Sequence, residues 1–396
     1  MCAVYARLPV CSTLLLLAAA VAASAQSVRA SSHEALVGLV PEQATQQGAQ
    51  AGPSGPSGPI PWGRALAQNG AWYGSRDAVA VADNVLLYQR AVGGWSKNID
   101  MARPHDRAER EAVLTARAAD DATIDNGATT TELRFLARVF TATGEARFRD
   151  AFLKGLDYLL GAQYPNGGWP QYYPLRSDYS RRITFNDNAM VNVLGVMADA
   201  REGRAGMAFV DAARRARAAR AFEKGIDVIL KSQIRVNGVL TAWCAQIDEV
   251  TLEPRAARTY EHASISGSES VGIVRLLMSL PDPPAAVVAA VDAAVAWFRD
   301  VRITGLEVVA RADPAVPGGQ DRVVVKNPAA PPLWARFYEI GTNRPIFSGR
   351  DGIIRYSLAE IELERRLGYS WLAPYAAELL ERDYPRWKSP LVPGPK

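Results

Sequence analysis

Two aspartate–asparagine pairs, Asp125-Asn126 and Asp187-Asn188, each stand immediately before a stretch of helical period. Taken singly, such a pair reads as a helix cap, because a short carboxylate or amide accepts from the unpaired N–H groups of a first turn. On two loops that meet, the same residues offer the hard oxygen donors that Ca2+ prefers, although their spacing is not that of an EF-hand. Three arginines form a second set. Arg258 follows the turn-forming Pro254, Arg336 stands beside Phe337 and Tyr338, and Arg350 lies in Ser-Gly-Arg-Asp-Gly, where two glycines oppose a helix. Arginines on loops beside aromatics suit a two-pronged grip on a carboxylate.

The segments that hold these residues are richer in Asp, Asn, Arg and aromatics than connections need. They include Gly93-Gly-Trp-Ser-Lys97-Asn98-Ile-Asp100, Asn166-Gly-Gly-Trp169-Pro-Gln171-Tyr-Tyr173, Thr241-Ala-Trp243-Cys-Ala-Gln246-Ile-Asp248 and Asn343-Arg344-Pro-Ile-Phe-Ser-Gly-Arg350-Asp351-Gly. Trp95, Trp169, Tyr172, Tyr173 and Trp243 are placed either to stack on sugar rings or, beside their glycines, to pack a core. Other chemistries find no support. His33, His105 and His262 are scattered, so neither a histidine metal cluster nor a Ser-His-Asp arrangement is evident. No phosphate-binding glycine loop, dinucleotide fingerprint or Gly-x-Ser-x-Gly elbow occurs.

What positions these loops is a repeat. Gln89-x-x-x-Gly-Gly-Trp95 recurs as Gln163-x-x-x-Gly-Gly-Trp169 and, degenerately, as Gln233-x-x-x-Asn237-Gly238 with Trp243. Each copy ends an apolar stretch of helical period, which is the linear signature of helical hairpins closing on one another. Helices are expected over 78–90, 130–143, 148–160, 188–201, 213–232, 271–280, 284–298 and 356–368. Ser266-Gly-Ser-Glu269 reads as a capping box before the sixth of these. Strand-like pieces fall at 303–310 and 322–325. Helix dominates, so the expected fold is an all-α helical toroid with short β pieces, its long loops forming a groove at one end.

Residues 1–25 have the form of a signal peptide: Arg7, the apolar run from Leu14 to Ala23, and Ala23-Ser24-Ala25 before Gln26. Residues 26–61 read as a disordered Gln/Gly/Pro/Ser-rich tether, and 62–390 as the compact domain. Export to the medium or periplasm follows as an expectation, with no membrane span after cleavage. Cys2 and Cys11 lie in the leader, so Cys244 has no intrachain partner and reads as core packing. A formal net charge of +4 without a basic block excludes a polyelectrolyte binder of the nucleic-acid kind and tolerates an acidic substrate.

Ile124-Asp-Asn-Gly-Ala-Thr-Thr-Thr-Glu-Leu133, Asn166-Gly-Gly-Trp-Pro-Gln-Tyr-Tyr-Pro174, Ile183-Thr-Phe-Asn-Asp-Asn-Ala-Met190 and the string from Pro332 to Gly352 resemble pectate lyases of polysaccharide lyase family 10. The resemblance spans roughly residues 70–380 in co-linear order. It implies an (α/α)3-type toroid and Ca2+-dependent β-elimination of polygalacturonate to 4,5-unsaturated products. It assigns Arg258 as the base, with Arg255 as the alternative, Asp187 as the Ca2+ ligand shared with substrate, and Asp125 as a second acidic residue near ion and scissile bond. Arg336 and Arg350 resemble clamps on substrate carboxylates. Lys97, Asn126, Trp169, Arg344 and Asp351 are the substrate-binding candidates of the same strings.

The C5 proton of a galacturonate lies α to a carboxylate and is weakly acidic, so cations on that carboxylate stabilise the charge that develops on its removal. Free arginine is always protonated, and a basic role needs a cationic, dehydrated site. The chain departs from the family pattern at Ser96, Ile247 and His262, none of them an assigned Arg or Asp. A monomer acting on an acidic polysaccharide is expected. Two rivals remain at the level of sequence. One is a glycoside hydrolase using two of Asp125, Asp187 and Asp248; the other is a protein that binds pectate without cleaving it. A terpene cyclase, which shares Gln-x-x-x-Gly-x-Trp, is excluded by the lack of an Asp-rich motif.

Overall fold

Three helical hairpins make the frame. In a computed structural model that describes residues 60–391, helix α1 (Arg76–Tyr88) is capped by Ser75, whose hydroxyl accepts from Ala78 N–H. A surface helix α2 (Arg107–Thr115) follows, then hairpins α3 (Thr130–Thr143)/α4 (Ala146–Ala162), α5 (Ala189–Glu202)/α6 (Ala212–Ser232) and α7 (Glu269–Met278)/α8 (Ala285–Asp300). Each hairpin packs within itself; α3, α5 and α7 neighbour one another in one layer, and α4, α6 and α8 in another. Helix α5 is buried almost all round, as an inner helix between neighbours must be.

The repeated Gln and Trp are the joints. Gln89 ends α1 and donates to the carbonyls of Gly93 and of Ala151 on α4. Gln163, ending α4, does the same to Gly167 and to Ala221 on α6, and Gln233, ending α6, to Thr241 and to Ala290 on α8. Each amide thus closes its own turn and fastens the next outer helix. Trp95, Trp169 and Trp243 are fully buried, and their indole N–H groups donate to Val85, Leu159 and Ile229 carbonyls. Burying roughly 200 Å² of indole contributes on the order of 5 kcal/mol each before entropy is counted. Gly93 and Gly167 cannot be replaced: both have φ above +100°, and an added Cβ would lie 2.6 and 2.4 Å from the Lys154 and Lys224 carbonyl oxygens.

The consequence for function is polarity. The carbonyls of Trp95, Trp169 and Trp243 accept from Thr123, Thr184 and Ser266 in the segments that lead into α3, α5 and α7, so the N-termini of these helices and the repeat loops share one end. Short antiparallel pairs stitch those loops together: Ile183–Thr184 with Gln246–Ile247, Ile265–Ser266 with Phe337–Tyr338, and Trp334–Ala335 with Leu372–Ala373. Thr123 bridges to Tyr172 in the same way.

The expected helices over 78–90 to 284–298 all exist, with ends shifted by a few residues, and the strand pieces form one hairpin, Leu306–Ala312 with Gln320–Lys326. The expected helix over 356–368 does not. It is a short turn at Leu358–Glu360 and a five-residue helix at Leu363–Leu367, with Ile361 and Glu362 extended between them. Ile361 dives into a satellite core with Tyr260, Phe337, Phe347, Leu358 and Trp371, which breaks the helix. Helix α2 was not legible from periodicity because none of its residues is buried; its Asp106–Glu109 capping box was the available signal. The signal peptide and all of the tether but Ile60 and Pro61 lie outside the described residues, and Trp62 already packs edge-on against Phe135. No helix of the described residues is long and apolar enough to cross a membrane.

Candidate active site

The turns before α3 and α5 are near copies. Asp125–Gly127 and Asn186–Asn188 are single helical turns, packed against each other, in which the middle residue adopts a left-handed conformation: Asn126 at φ 51 and Asp187 at φ 50. Asn and Asp tolerate this region because their short side chains bond locally. Neither acid caps its helix: the N-cap residues are Thr129 and Asn188, and neither side chain accepts from a first-turn N–H. The carboxylates turn instead to cations.

Asp125 is buried and accepts from the Lys97 ammonium, while its Oδ1 is buried without a partner. Burial opposes the charge of Lys97, but the hydrogen bond and charge of Asp125 outweigh it and raise the lysine pKa. Lys97 also lies 6.0 Å from the Tyr172 ring, over which Arg176 stacks at 3.6 Å. Asn126 donates to Asn98 at 2.9 Å, joining its turn to the Lys97 loop. Asp187 is one-third exposed and accepts from Asn186 at 2.8 Å and from Arg336 Nη2 at 3.0 Å.

Arg336 is almost wholly buried and also donates to Glu269 at the start of α7. Its guanidinium lies 4.5 Å from the Tyr369 ring, and the Tyr369 hydroxyl donates to Glu261 Oε1 at 2.8 Å. Glu261 in turn holds Arg258 through Nε at 2.8 Å and Nη2 at 2.5 Å. Tyr179 sits where the charges of Arg258, Glu261, Lys97 and Asp125 all reach its hydroxyl; burial foremost raises its pKa. The contacts run from Arg258 through Glu261 and Tyr369 to Arg336 and Asp187, and the packing of the Asp187 turn on the Asp125 turn brings in Asp125 and Lys97.

Burial disfavours charge on Arg258, yet Glu261, with Tyr369 and Tyr260, more than offsets it and holds the guanidinium above its ordinary pKa. Arg336 is raised in the same way against its burial by Glu269, Tyr369 and Asp187. Arg255 lies apart, bonded to Asp248 in a neighbouring turn. Asp248 is occupied there too: the Thr251 and Val250 N–H groups foremost push it down to about 2. A carboxyl held so low is no general acid at neutral pH.

Arg350 stands at the rim, exposed and doubly bonded to Glu364 at 2.9 Å. Its loop lies against the Arg258 loop, where His262 bonds Ser348 at 3.1 Å. Asp351 is taken up by Arg355 and by Ile353 N–H, and Arg344 lies 3.5 Å over the Tyr356 ring, so neither joins the cluster through its contacts. Trp169 is a correction. It was a candidate for sugar stacking, but it has no exposed surface and serves as a joint of the toroid.

Glu261, Glu269, Tyr179 and Tyr369 were missed as site residues. Glu269 was visible only as half of a capping box; Ser266 Oγ does accept from its N–H at 3.1 Å, but its carboxylate faces Arg336. Glu261 stands three residues from the Arg258 it holds, a spacing that was the available signal, whereas Tyr369 carries none, since its role depends on chain segments about a hundred residues apart meeting.

Among the described residues no three His, Cys, Asp or Glu side chains gather to hold an ion by themselves. The donors at this end are hard oxygens from Asp187, Asn186 and the unpartnered Oδ1 of Asp125. These are too few for the six to eight ligands Ca2+ takes, and they fit an ion that an acidic ligand helps to bind.

Comparison with known proteins decides the family. Residues 89–380 match the family described as pectic acid lyase. The chain belongs to that family. A family 10 polysaccharide lyase from Cellvibrio cellulosa has a similar structure, with a TM-score of 0.67 at 36% identity over 82% of this chain and 96% of that one. An aspartate-to-alanine mutant of a family 10 lyase from the same organism, in complex with trigalacturonic acid, gives 0.69 at 36% identity, over 82% and 97%. No curated protein matches the sequence. This pectate lyase has the (α/α)3 toroid of its family, with the three inner helices opening onto one acidic–basic cluster.

Proposed function

We propose that this lyase cleaves de-esterified polygalacturonate by Ca2+-dependent β-elimination, with Arg258 as the base, leaving 4,5-unsaturated oligogalacturonides. The observation that carries the reading is the continuous cluster at the N-terminal ends of α3, α5 and α7, which interleaves Lys97, Arg258 and Arg336 with Asp125, Asp187, Glu261 and Glu269. The complex of the Cellvibrio family 10 lyase mutant with trigalacturonic acid supports the substrate class. The identity of Arg258 over Arg255 is supported by its membership of the cluster.

Asp187, with Asp125 near it, would hold Ca2+ together with a substrate carboxylate. When bound, the ion draws charge from that carboxylate and so acidifies the carbon beside it. Arg350 binds and orients a uronate carboxylate by the two-pronged geometry it now makes with Glu364, and Arg336, whose Nη2 alone meets Asp187 and Glu269, is the second carboxylate clamp. Arg258 takes the C5 proton; the C5–H electrons become the C4–C5 double bond, the C4–O bond breaks, and the departing oxygen takes a proton from water. Accepting a proton demands that Arg258 first lose one. Burial and the further exclusion of water by substrate favour that loss, while Glu261 opposes it.

Export remains a reading of residues 1–25, and the enzyme is proposed to act as a monomer, secreted or in the periplasm. The test is ultraviolet absorbance of the conjugated uronide during incubation with polygalacturonate, first with Ca2+ and then with EDTA. Rising absorbance that EDTA halts is the expected result. Growth of reducing ends at flat absorbance would instead mean hydrolysis, and no change in either would mean binding alone.

A further inference from the structure

The contact that most opposes a basic Arg258 is also the one that fixes its geometry. A guanidinium has three nitrogens and five N–H donors. In this structure Nε–H donates to Glu261 Oε2 at 2.8 Å and Nη2–H to Oε1 at 2.5 Å, while the backbone N–H of Arg258 reaches the same Oε2 at 3.2 Å. Among the described residues Nη1 makes no hydrogen bond, and two-fifths of the side chain is open to solvent. Glu261 is itself buried and cannot swing away freely, because the Tyr369 hydroxyl donates to its Oε1 at 2.8 Å. Tyr369 is clamped in turn beneath Arg336 and against Tyr260 and Trp371.

We propose that Glu261, steadied by Tyr369, is a positioning residue that sets both the orientation and the tautomer of Arg258. This inference rests on the assignment of Arg258 as base. Nε has a single proton and Glu261 holds it, while Nη2 donates more strongly to Glu261 as an amino than as an imino group, so the proton that Arg258 gives up leaves from Nη1. The resulting lone pair sits on the one nitrogen that faces away from Glu261. The C5 proton then arrives at Nη1, the guanidinium is restored, and Glu261 is unchanged throughout. The logic is that of an aspartate orienting a catalytic histidine, transferred to a stronger base. The same negative charge holds Arg258 more firmly protonated, so orientation is obtained against a smaller neutral fraction.

The experiment is the steady-state pH profile of elimination for the full chain with Ca2+ and polygalacturonate, comparing wild type, Glu261→Gln and Tyr369→Phe. Circular dichroism of each variant checks the fold. Glu261→Gln is expected to lower kcat by about 10–100-fold with KM within about twofold, as misplacement of a reacting group does. It should also move the rising limb of kcat toward lower pH, because a carboxylate that raised the Arg258 pKa is gone. Tyr369→Phe keeps the ring against Arg336 and loses only the hydroxyl; it is expected to cost about 3–10-fold in kcat. Should Glu261→Gln fail to fold, Tyr369→Phe decides. Wild-type kcat and an unmoved profile in the folded variants, or a loss confined to KM, would overturn the proposal. Full activity in Arg258→Ala would overturn the base assignment and this inference with it, whereas failure of Glu261→Gln alone to slow the enzyme leaves the base standing.

Discussion

The turns before α3 and α5 have one backbone and two uses. Both are single turns with a left-handed middle residue, Asn126 in one and Asp187 in the other, and both are followed at once by an inner helix. The acid is shifted by one position between them. In the first turn it stands at the opening residue, Asp125, aimed inward to a buried place beside Lys97. In the second an amide, Asn186, takes that inward place and the acid moves to the left-handed position, where Asp187 is one-third exposed beside Arg336. A repeated scaffold thus supplies a sequestered carboxylate and an accessible one from a one-residue shift of the acid. Accessibility, more than charge, is what would suit Asp187 to the proposed ion shared with substrate.

That difference can be broken by substitution. Asp187→Asn is expected to lower kcat/KM by about 10²–10³-fold, the effect of removing one electrostatic partner of a developing charge, with little change in melting temperature. Asp125→Asn should lower activity as well, and destabilise by about 1–3 kcal/mol, because Lys97 loses its acid in a mostly buried setting. Equal melting temperatures for the two variants would contradict the inward–outward contrast. Arg336→Met tests the bridge from the second turn to α7. It strands the buried Glu269 and is expected to cost about 3–5 kcal/mol in chemical denaturation.

The helices behind the turns sharpen the comparison further. In register, α5 presents the fully buried Val193 where α3 presents Glu132, also buried, with Oε2 unpartnered. Burial foremost pushes Glu132 up to about 8 from 4.5, against backbone N–H bonds that pull it down. The folded state therefore holds a proton that the unfolded chain releases. Its contribution is fully present below about pH 4.5 and is lost as pH rises through about 8, at up to about 1.4 kcal/mol per pH unit. Glu132→Gln should flatten the fall in melting temperature between pH 5 and 8; an unaltered slope would place the titration elsewhere. The smallest effect belongs to Trp169→Phe. It loses the bond to Leu159 and some volume, about 1–2 kcal/mol in stability, and KM should not move.

Much of this architecture was readable because it is periodic. The Gln and Trp repeats announced the toroid through spacing alone, and the structure shows each amide fastening one outer helix to the next. The loops rich in Asp, Asn and Arg gather at one end of it, as their sequence suggested. What the chain did not disclose is pairing between segments far apart. Glu261 meets Tyr369 and Glu269 meets Arg336 only once the loops are stitched by two-residue strands, which have no periodicity to read. Trp169 was open to two readings for a related reason. A tryptophan beside glycines serves a sugar or a core equally well in sequence, and only the fit of its ring against the inner layer separates the two. The broken helix at 356–368 has the same origin, since Ile361 follows the satellite core and not the local period.

The proposed elimination depends on Arg258. Arg258→Ala, with fold checked and binding to polygalacturonate measured beside the formation of unsaturated product, tests it most directly. The prediction is binding within a few-fold of wild type and no detectable elimination, because the exposed Arg350 proposed to grip substrate and the Asp187 turn are untouched while the proton has no acceptor. Sustained elimination by Arg258→Ala would contradict the assignment.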